Sequence, residues 1–183
     1  MMNLRDKIDP KHTALVIIDI QNDFASADPR YFRASRGGDL SQVDPMVDAI
    51  EKVVPVAEKV GVFVSYFQQI YDRSKLTDLQ KEQYDLDGKL VTCDIASDGW
   101  KFYRIDPSPE KVFQKYNYNI FSNKDFVHAI EKRNIKTLVI TGMDTIYCVE
   151  TAIRNGFDLG YKIVLPEDMI AGNENKKELN ERS

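Results

Sequence analysis

The chain has 183 residues, of which 43% are apolar and 30% are charged, as in an ordinary globular domain. This length predicts a single domain over residues 1–183, with a core large enough to need no disulfide or metal. Its 25 basic and 29 acidic residues give a formal net charge of −4, which argues against nucleic acid as a partner. The apolar runs are too short to cross a membrane and we expect no secretory signal, so with only two cysteines a cytoplasmic location fits best.

Apolar runs and turn residues predict strands and helices that alternate along the chain. A continuous apolar run at 13–19 predicts a first strand that is buried on both faces. After a polar loop, Asp44-Pro45 opens a helix in which Pro55 predicts a kink or an early end. Later strands are predicted at 62–67, 111–115, 137–142 and 161–165, and later helices at 76–84, 123–133 and 145–159, with Ser122 as the cap of the second. The alternation predicts a three-layer α/β domain with a parallel sheet between helices.

The two histidines, His12 and His128, limit the kinds of site that the chain can build. His12 precedes the first strand and His128 lies in an amphipathic helix, so each is expected to be a surface or packed residue. A histidine-rich zinc site or a Ser-His-Asp triad would have to use one of them. A hydrolase of this sequence would therefore activate its nucleophile without imidazole.

Three reactive side chains follow the ends of predicted strands, where ligands bind in open parallel sheets. Asp19 ends the first strand and Lys115 ends the third. Cys148 lies in the first turn of the helix that follows the fourth strand. The helix dipole and a nearby ammonium are expected to lower the pKa of the thiol, and a carboxylate can accept its proton. Taken singly, each residue is more easily explained by a turn, solvation or packing, and Cys93 is predicted to be structural. Together the three predict a cysteine hydrolase site.

Three segments around these residues resemble motifs of the isochorismatase-like cysteine hydrolases. The segment LVIIDIQNDF at 15–24 is similar to the family's opening motif, and VFQKYNYNIF at 112–121 is similar to its lysine motif. The segment LVITGMDTIYCVE at 138–150 is similar to its nucleophile motif. The resemblance implies a six-stranded parallel sheet of order 3-2-1-4-5-6 and a triad of Asp19, Lys115 and Cys148. It also implies a dimer or tetramer. Because little chain follows Leu165, the sixth strand is expected to be missing, although residues 174–183 could begin the helix before it.

The resemblance implies further site features near the cysteine. A cis peptide bond is expected between Met143 and Asp144, and an oxyanion hole from the backbone N–H groups of Asp144 and Cys148. In the family the position of Asp144 is commonly a small residue, so an acid here is a departure that bears on local charge and on the cysteine pKa. Four aromatic residues are candidates for the pocket wall, with packing as an equal alternative: Phe24, Trp100, Tyr118 and Tyr147.

The segment after the second strand separates subgroups of the family. Nicotinamidase-like members carry metal-binding histidines there, whereas YFQQIYDRS at 66–74 has none, so we expect no metal and no cofactor. The segments at 99–103 and 148–157 instead resemble the group of ureidoacrylate amidohydrolases, biuret hydrolases and N-carbamoylsarcosine amidohydrolases.

The implied activity is cysteine-dependent cleavage of a C–N bond in a small ureido or carbamoyl compound, through a thioester-type intermediate. A nicotinamidase-like amidase and a non-catalytic binding protein stay open as alternatives. Four loop arginines could bind a substrate carboxylate, although each taken singly is more simply a solvated residue: Arg30, Arg33, Arg36 and Arg73.

Overall fold

Five strands form one parallel sheet in the computed structural model, which describes residues 8–35, 37–87 and 91–172. The strands are β1 (Thr13–Ile18), β2 (Phe63–Gln69), β3 (Val112–Lys115), β4 (Thr137–Gly142) and β5 (Lys162–Val164). Their spatial order is β3-β2-β1-β4-β5, and all neighbours pair in parallel. The predicted α/β fold with strand order 3-2-1-4-5 is confirmed. Residues 174–183, where a further helix was predicted to begin, lie outside the described residues.

Helices connect the strands and cover both faces of the sheet. They are α1 (Asn22–Ala25), α2 (Phe32–Ser35), α3 (Val43–Lys59), α4 (Asp78–Asp87), α5 (Lys124–Lys132) and α6 (Glu150–Asp158). A π-helical turn, Thr145–Val149, runs directly into α6. Single 3-10 turns complete the described elements: Pro10–His12, Arg73–Lys75, Pro109–Lys111, Ile120–Ser122 and Glu167–Met169. None of these helices combines the length and apolar character needed to cross a bilayer, within the part of the chain that the structure describes.

The central strand β1 is buried at every position, which explains its unbroken apolar sequence. Successive side chains point to opposite faces of a strand, so β1 feeds two separate apolar layers. One layer packs against α3 and includes Leu15, Ile17, Met46, Val47 and Ile50. The other packs against α5 and α6 and includes Ala14, Val16, Phe126, Ile130 and Ala152. The two layers fix the sheet between helices and so hold its carboxyl edge in place.

Several local predictions differ from the structure. The helix predicted to open at Asp44-Pro45 begins earlier, at Val43, after Gln42. Helix α3 continues through Pro55 to Lys59, so the predicted early end is wrong. Pro55 lies on the exposed face, where the carbonyl that loses its hydrogen bond can be solvated. Helix α5 is capped by Asn123 rather than Ser122, because the Asn123 side chain accepts the N–H of Phe126 at 2.9 Å.

Candidate active site

The carboxyl ends of β3, β2, β1 and β4 lie side by side and bring distant parts of the sequence together. Ile18 at the end of β1 is in register with Phe67 and with Gly142, and Gln69 of β2 is in register with Lys115 of β3. Lys115 therefore reaches across the end of β2 toward Asp19, which directly follows β1. Cys148, in the π-helical turn after β4, approaches from the other side.

The ammonium of Lys115 joins the site into one hydrogen-bonded group. Its Nζ donates to Asp19 Oδ2 at 2.7 Å, to Gln69 Oε1 at 2.9 Å and to Cys148 Sγ at 3.1 Å. An ammonium has three N–H donors, so these three acceptors use all of them. Lys115 and Asp19 are 1% exposed and Cys148 is 6% exposed. The structure thus brings together the three side chains that the sequence singled out.

Gln69 is a member of this group that the sequence analysis missed. Its backbone is clamped by Gln21, whose side chain accepts the Gln69 N–H at 2.9 Å and donates to the Gln69 carbonyl at 2.8 Å. Gln21 also donates to the carbonyl of Trp100 at 2.7 Å. The available signal was the strand-end position of Gln69, which is shared by Asp19 and Lys115. Gln69 fixes the rotation of the ammonium, so that one N–H stays directed at the thiol.

The two carboxylate oxygens of Asp19 have different surroundings. Its Oδ1 is buried and has no hydrogen-bond partner among the described residues, while Oδ2 is held by Lys115. Its backbone has a φ of 54°, a left-handed conformation that is uncommon for a residue with a side chain. A buried carboxylate oxygen without a donor is suited to accept a proton from a thiol, a water or a substrate N–H group.

The electrostatics of the site favour a neutral thiol in the resting protein. Burial raises the pKa of Cys148, the negative charge of Asp19 raises it further, and the Lys115 ammonium only partly opposes them. Burial lowers the pKa of Lys115, but the charges of Asp19 and Cys148 outweigh this effect and raise it overall. The expectation of a lowered thiol pKa is therefore wrong. It neglected burial, and Cys148 lies inside a π-helical turn rather than in the first turn of an α-helix.

Stability is expected to fall as the pH rises above about 9, because buried acids keep their protons only in the folded state. Burial raises the pKa of Cys148 and Cys93 above their ordinary value of 9.0, and raises that of Tyr66 to about 12. In the unfolded chain these groups ionise at lower pH, which favours unfolding. Urea denaturation from about pH 7.5 to about pH 10.5 measures the decline, and Cys93→Ala should make it shallower. A free energy of unfolding that stays level across this range would contradict these shifts.

The main chain before the cysteine has an unusual path. The peptide bond between Met143 and Asp144 is cis, as the family resemblance implied. The carbonyl of Asp144 then accepts the N–H groups of Tyr147 at 3.1 Å and Val149 at 3.2 Å. These bonds tie Asp144 to the turn that carries Cys148. The Asp144 side chain forms an ion pair with Arg33 of α2.

Asp23 anchors the loops that surround the site. Its carboxylate accepts the N–H of Cys93 at 2.7 Å and that of Phe32 at 3.1 Å. Its own N–H donates to the carbonyl of Gly99 at 3.0 Å, and a Cβ on Gly99 would meet the Asp23 carboxylate at 2.0 Å. The thiol of Cys93 is fully buried. Cys93 thus lies in a structural junction between the loop at 91–103 and α2.

The four aromatic candidates occupy different environments. Phe24 is half-buried and packs against the core layer of α3, while Trp100 is half-buried in the loop that Gln21 holds. Tyr118 and Tyr147 are 60% and 38% exposed. Their rings stack with centroids 5.9 Å apart and planes at 26°. Because Tyr147 directly precedes Cys148, this stacked pair borders the nucleophile.

No group of three or more histidine, cysteine or carboxylate side chains is placed to hold a metal ion in the described ranges. His12 Nδ1 lies 3.0 Å from the carbonyl of Asn134 and is engaged at the far end of the sheet. The arrangement at the carboxyl edge offers an acid–base group, a buried cation and a soft nucleophile. These are the groups that nucleophilic cleavage of an acyl compound requires.

A family model described as Isochorismatase domain matches residues 13–179, well over half of the chain. The chain belongs to the isochorismatase family. Among isochorismatase-family relatives, the ureidoacrylate amidohydrolase RutB of Acinetobacter baylyi is 32% identical over 178 residues, covering 87% of this chain and 70% of that protein. RutB of Azorhizobium caulinodans is 32% identical over 177 residues, covering 86% of this chain and 75% of that protein.

Solved structures share the isochorismatase-like fold at lower sequence identity. A cysteine hydrolase from Pseudomonas syringae pv. phaseolicola superposes with a TM-score of 0.74 at 23% identity, covering 91% of this chain and 75% of that one. A nicotinamidase from Bacillus subtilis superposes with a TM-score of 0.70 at 21% identity, covering 90% and 89%. At these identities the similarity supports the fold alone.

Proposed function

We propose that this isochorismatase-family protein is a cysteine-dependent amidohydrolase that cleaves a C–N bond of a small ureido or carbamoyl compound. The chain is a hydrolase of carbon–nitrogen amide bonds, as its family and its amidohydrolase relatives indicate. The observation that carries the covalent mechanism is the Lys115 ammonium, which bonds Asp19 and Cys148 at the same time in a buried site. Deep burial of these groups favours a small-molecule substrate. Assembly as a dimer or tetramer and location in the cytoplasm stay predictions.

The first half of the proposed reaction forms a bond between sulfur and the substrate carbonyl. Asp19 takes the thiol proton through its carboxylate while the Sγ atom of Cys148 attacks the carbonyl carbon. The Lys115 ammonium stabilises the developing thiolate. The backbone N–H groups of Asp144 and Cys148 hold the oxyanion. Because the pKa of Cys148 is raised in the resting protein, proton transfer accompanies attack rather than preceding it.

The second half releases the products and restores the thiol. The leaving nitrogen takes the proton from Asp19, the C–N bond breaks, and ammonia or an amine departs. Water then gives one proton to Asp19 and attacks the thioester-type carbonyl, and the C–S bond breaks. The proton returns from Asp19 to sulfur, so no group of the protein is changed overall.

The ureido class is supported by the chain's relatives and by the chemistry of the site. The relatives named above at 32% identity are ureidoacrylate amidohydrolases. A ureido carbonyl is deactivated by two nitrogens and needs both a strong nucleophile and a fixed oxyanion site. Its N–H groups would also complement Asp19 Oδ1, which has no hydrogen-bond partner among the described residues.

Ammonia release should be detected from ureido compounds and should be weaker from other amides. The panel holds ureidoacrylate, biuret, N-carbamoyl amino acids, nicotinamide and simple aliphatic amides, each assayed with the wild-type protein and with Cys148→Ala. We expect at least one ureido compound to have a higher kcat/KM than every other amide. The ureido assignment is wrong if nicotinamide or a simple amide is preferred by about tenfold or more over every ureido compound.

A further inference from the structure

One arginine near the site is buried, whereas two others in the loops are exposed. Arg33 in α2 is 6% exposed, and its Nη2 donates to Oδ2 of Asp144, whose side chain is 13% exposed. By contrast, the side chain of Arg30 is 77% exposed beside Asp28, and that of Arg73 is 53% exposed beside Asp85. Arg36 lies outside the described residues. Of the arginines that the structure describes among the four candidates, Arg33 is the one removed from solvent.

The ion pair lies beside the proposed reaction centre. The Asp144 side chain that accepts from Arg33 belongs to the residue whose N–H is a proposed oxyanion donor, and its carbonyl is bonded into the turn of Cys148. Helix α2 is itself held at Phe32, whose N–H is bonded by Asp23 at 3.1 Å. Both ends of the pair are therefore fixed relative to the carboxyl edge of the sheet.

Two buried side-chain polar atoms have no hydrogen-bond partner among the described residues, and both belong to this region. One is Asp19 Oδ1, an acceptor in the triad, and the other is Arg33 Nη1, a cationic donor. Buried polar atoms nearly always have partners, so each exception calls for an explanation. A ligand that offers N–H groups at one end and an anionic oxygen at the other would satisfy both atoms.

We propose that Arg33 binds the carboxylate of a ureido acid and sets the preference of the site for acidic over neutral ureido compounds. This inference rests on the proposed function. Asp144 is the positioning residue, because its bond to Nη2 leaves Nη1 for the substrate. Since Asp144 already balances the charge of Arg33, selectivity comes from one charge-assisted hydrogen bond rather than from net attraction. Such a bond predicts a preference of about 10- to 100-fold.

A matched pair of substrates isolates the carboxylate. 3-Ureidopropionate and N-propylurea have the same chain length. They differ only at the chain end, which is a carboxylate in the first compound and a methyl group in the second. We expect wild-type kcat/KM to favour the acid by about 10- to 100-fold. The double variant Arg33→Met/Asp144→Asn removes both charges together and leaves no buried charge unpaired. In this variant the ratio of kcat/KM values should fall to near one, mainly because the KM of the acid rises. Arg33→Lys keeps the charge but loses the planar fork, and should give an intermediate ratio.

Arg30→Met is the matched control, since it removes an exposed arginine that lies close in sequence, and it should leave the ratio unchanged. A wild-type ratio near one, or a ratio that survives in the double variant, overturns the inference. An equal loss for both substrates also overturns it, because it shows a structural role only. If neither compound is cleaved, the substrate panel above decides the proposed function separately. Calorimetric binding of the two compounds then tests the role of Arg33. Tighter binding of the acid that is lost in the double variant supports this role, whereas equal binding of the two compounds overturns it.

Discussion

Cys148→Ala is expected to reduce ammonia release by about 10⁴-fold or more, because removing a covalent nucleophile typically costs several orders of magnitude in rate. Cys148 is the cysteine whose Sγ lies 3.1 Å from the Lys115 ammonium. The methyl group of alanine keeps the turn intact while removing the atom that attacks the carbonyl. Initial rates on the best ureido substrate measure the effect, and urea denaturation checks that the variant is folded.

Cys93→Ala is the matched control, because Cys93 is also a buried free cysteine. The backbone of Cys93 donates to Asp23 and accepts the N–H of Tyr71 at 2.8 Å, whereas its thiol makes a weak contact with the Gly99 carbonyl at 4.0 Å. The variant should therefore retain most of the wild-type rate, with some loss of stability from the small cavity. Comparable rates in Cys148→Ala and wild type would contradict the covalent mechanism at Cys148. If only Cys93→Ala lost activity, the assignment of Cys148 as the nucleophile would be wrong.

Much of the fold and the core of the site follow from local sequence patterns. The unbroken apolar run of β1 predicts a strand buried on both faces, and alternating strands and helices predict parallel neighbours. In a parallel sheet the carboxyl ends meet at one edge. The strand order that the family resemblance implied leaves only β2 between the strands that carry Asp19 and Lys115. Their positions at strand ends were enough to predict the group that the ammonium of Lys115 connects.

Other features depend on contacts that local patterns do not encode. The ion pair of Arg33 and Asp144 joins residues 111 positions apart, and nothing in either local sequence marks the partner. The direction of the Cys148 pKa shift depends on how deeply the thiol is buried, which neither the helix position nor the nearby lysine reveals. Gln69 shares the strand-end position of the triad, but a glutamine carries no charge that would single it out.

Asp19→Asn is expected to lower kcat by about 10³-fold, because the site loses the base that accepts the thiol proton. It should also destabilise the fold by about 3–5 kcal/mol, since the fully buried Lys115 ammonium loses its counter-ion. Asp19→Asn/Lys115→Met removes both charges and should recover most of that stability while staying inactive. Ammonia assays and urea denaturation of the wild type, Asp19→Asn, Lys115→Met and the double variant separate the two effects.

The comparison matters because one ion pair holds the fold and carries the chemistry. If the pair were only structural, the double variant would recover activity together with stability, and the proposed role of Asp19 as the base would be wrong. If the pair were only catalytic, Asp19→Asn would unfold at the same urea concentration as the wild type. Because Lys115 and Asp19 are each 1% exposed, water cannot replace the missing charge, so both effects are expected in the single variant.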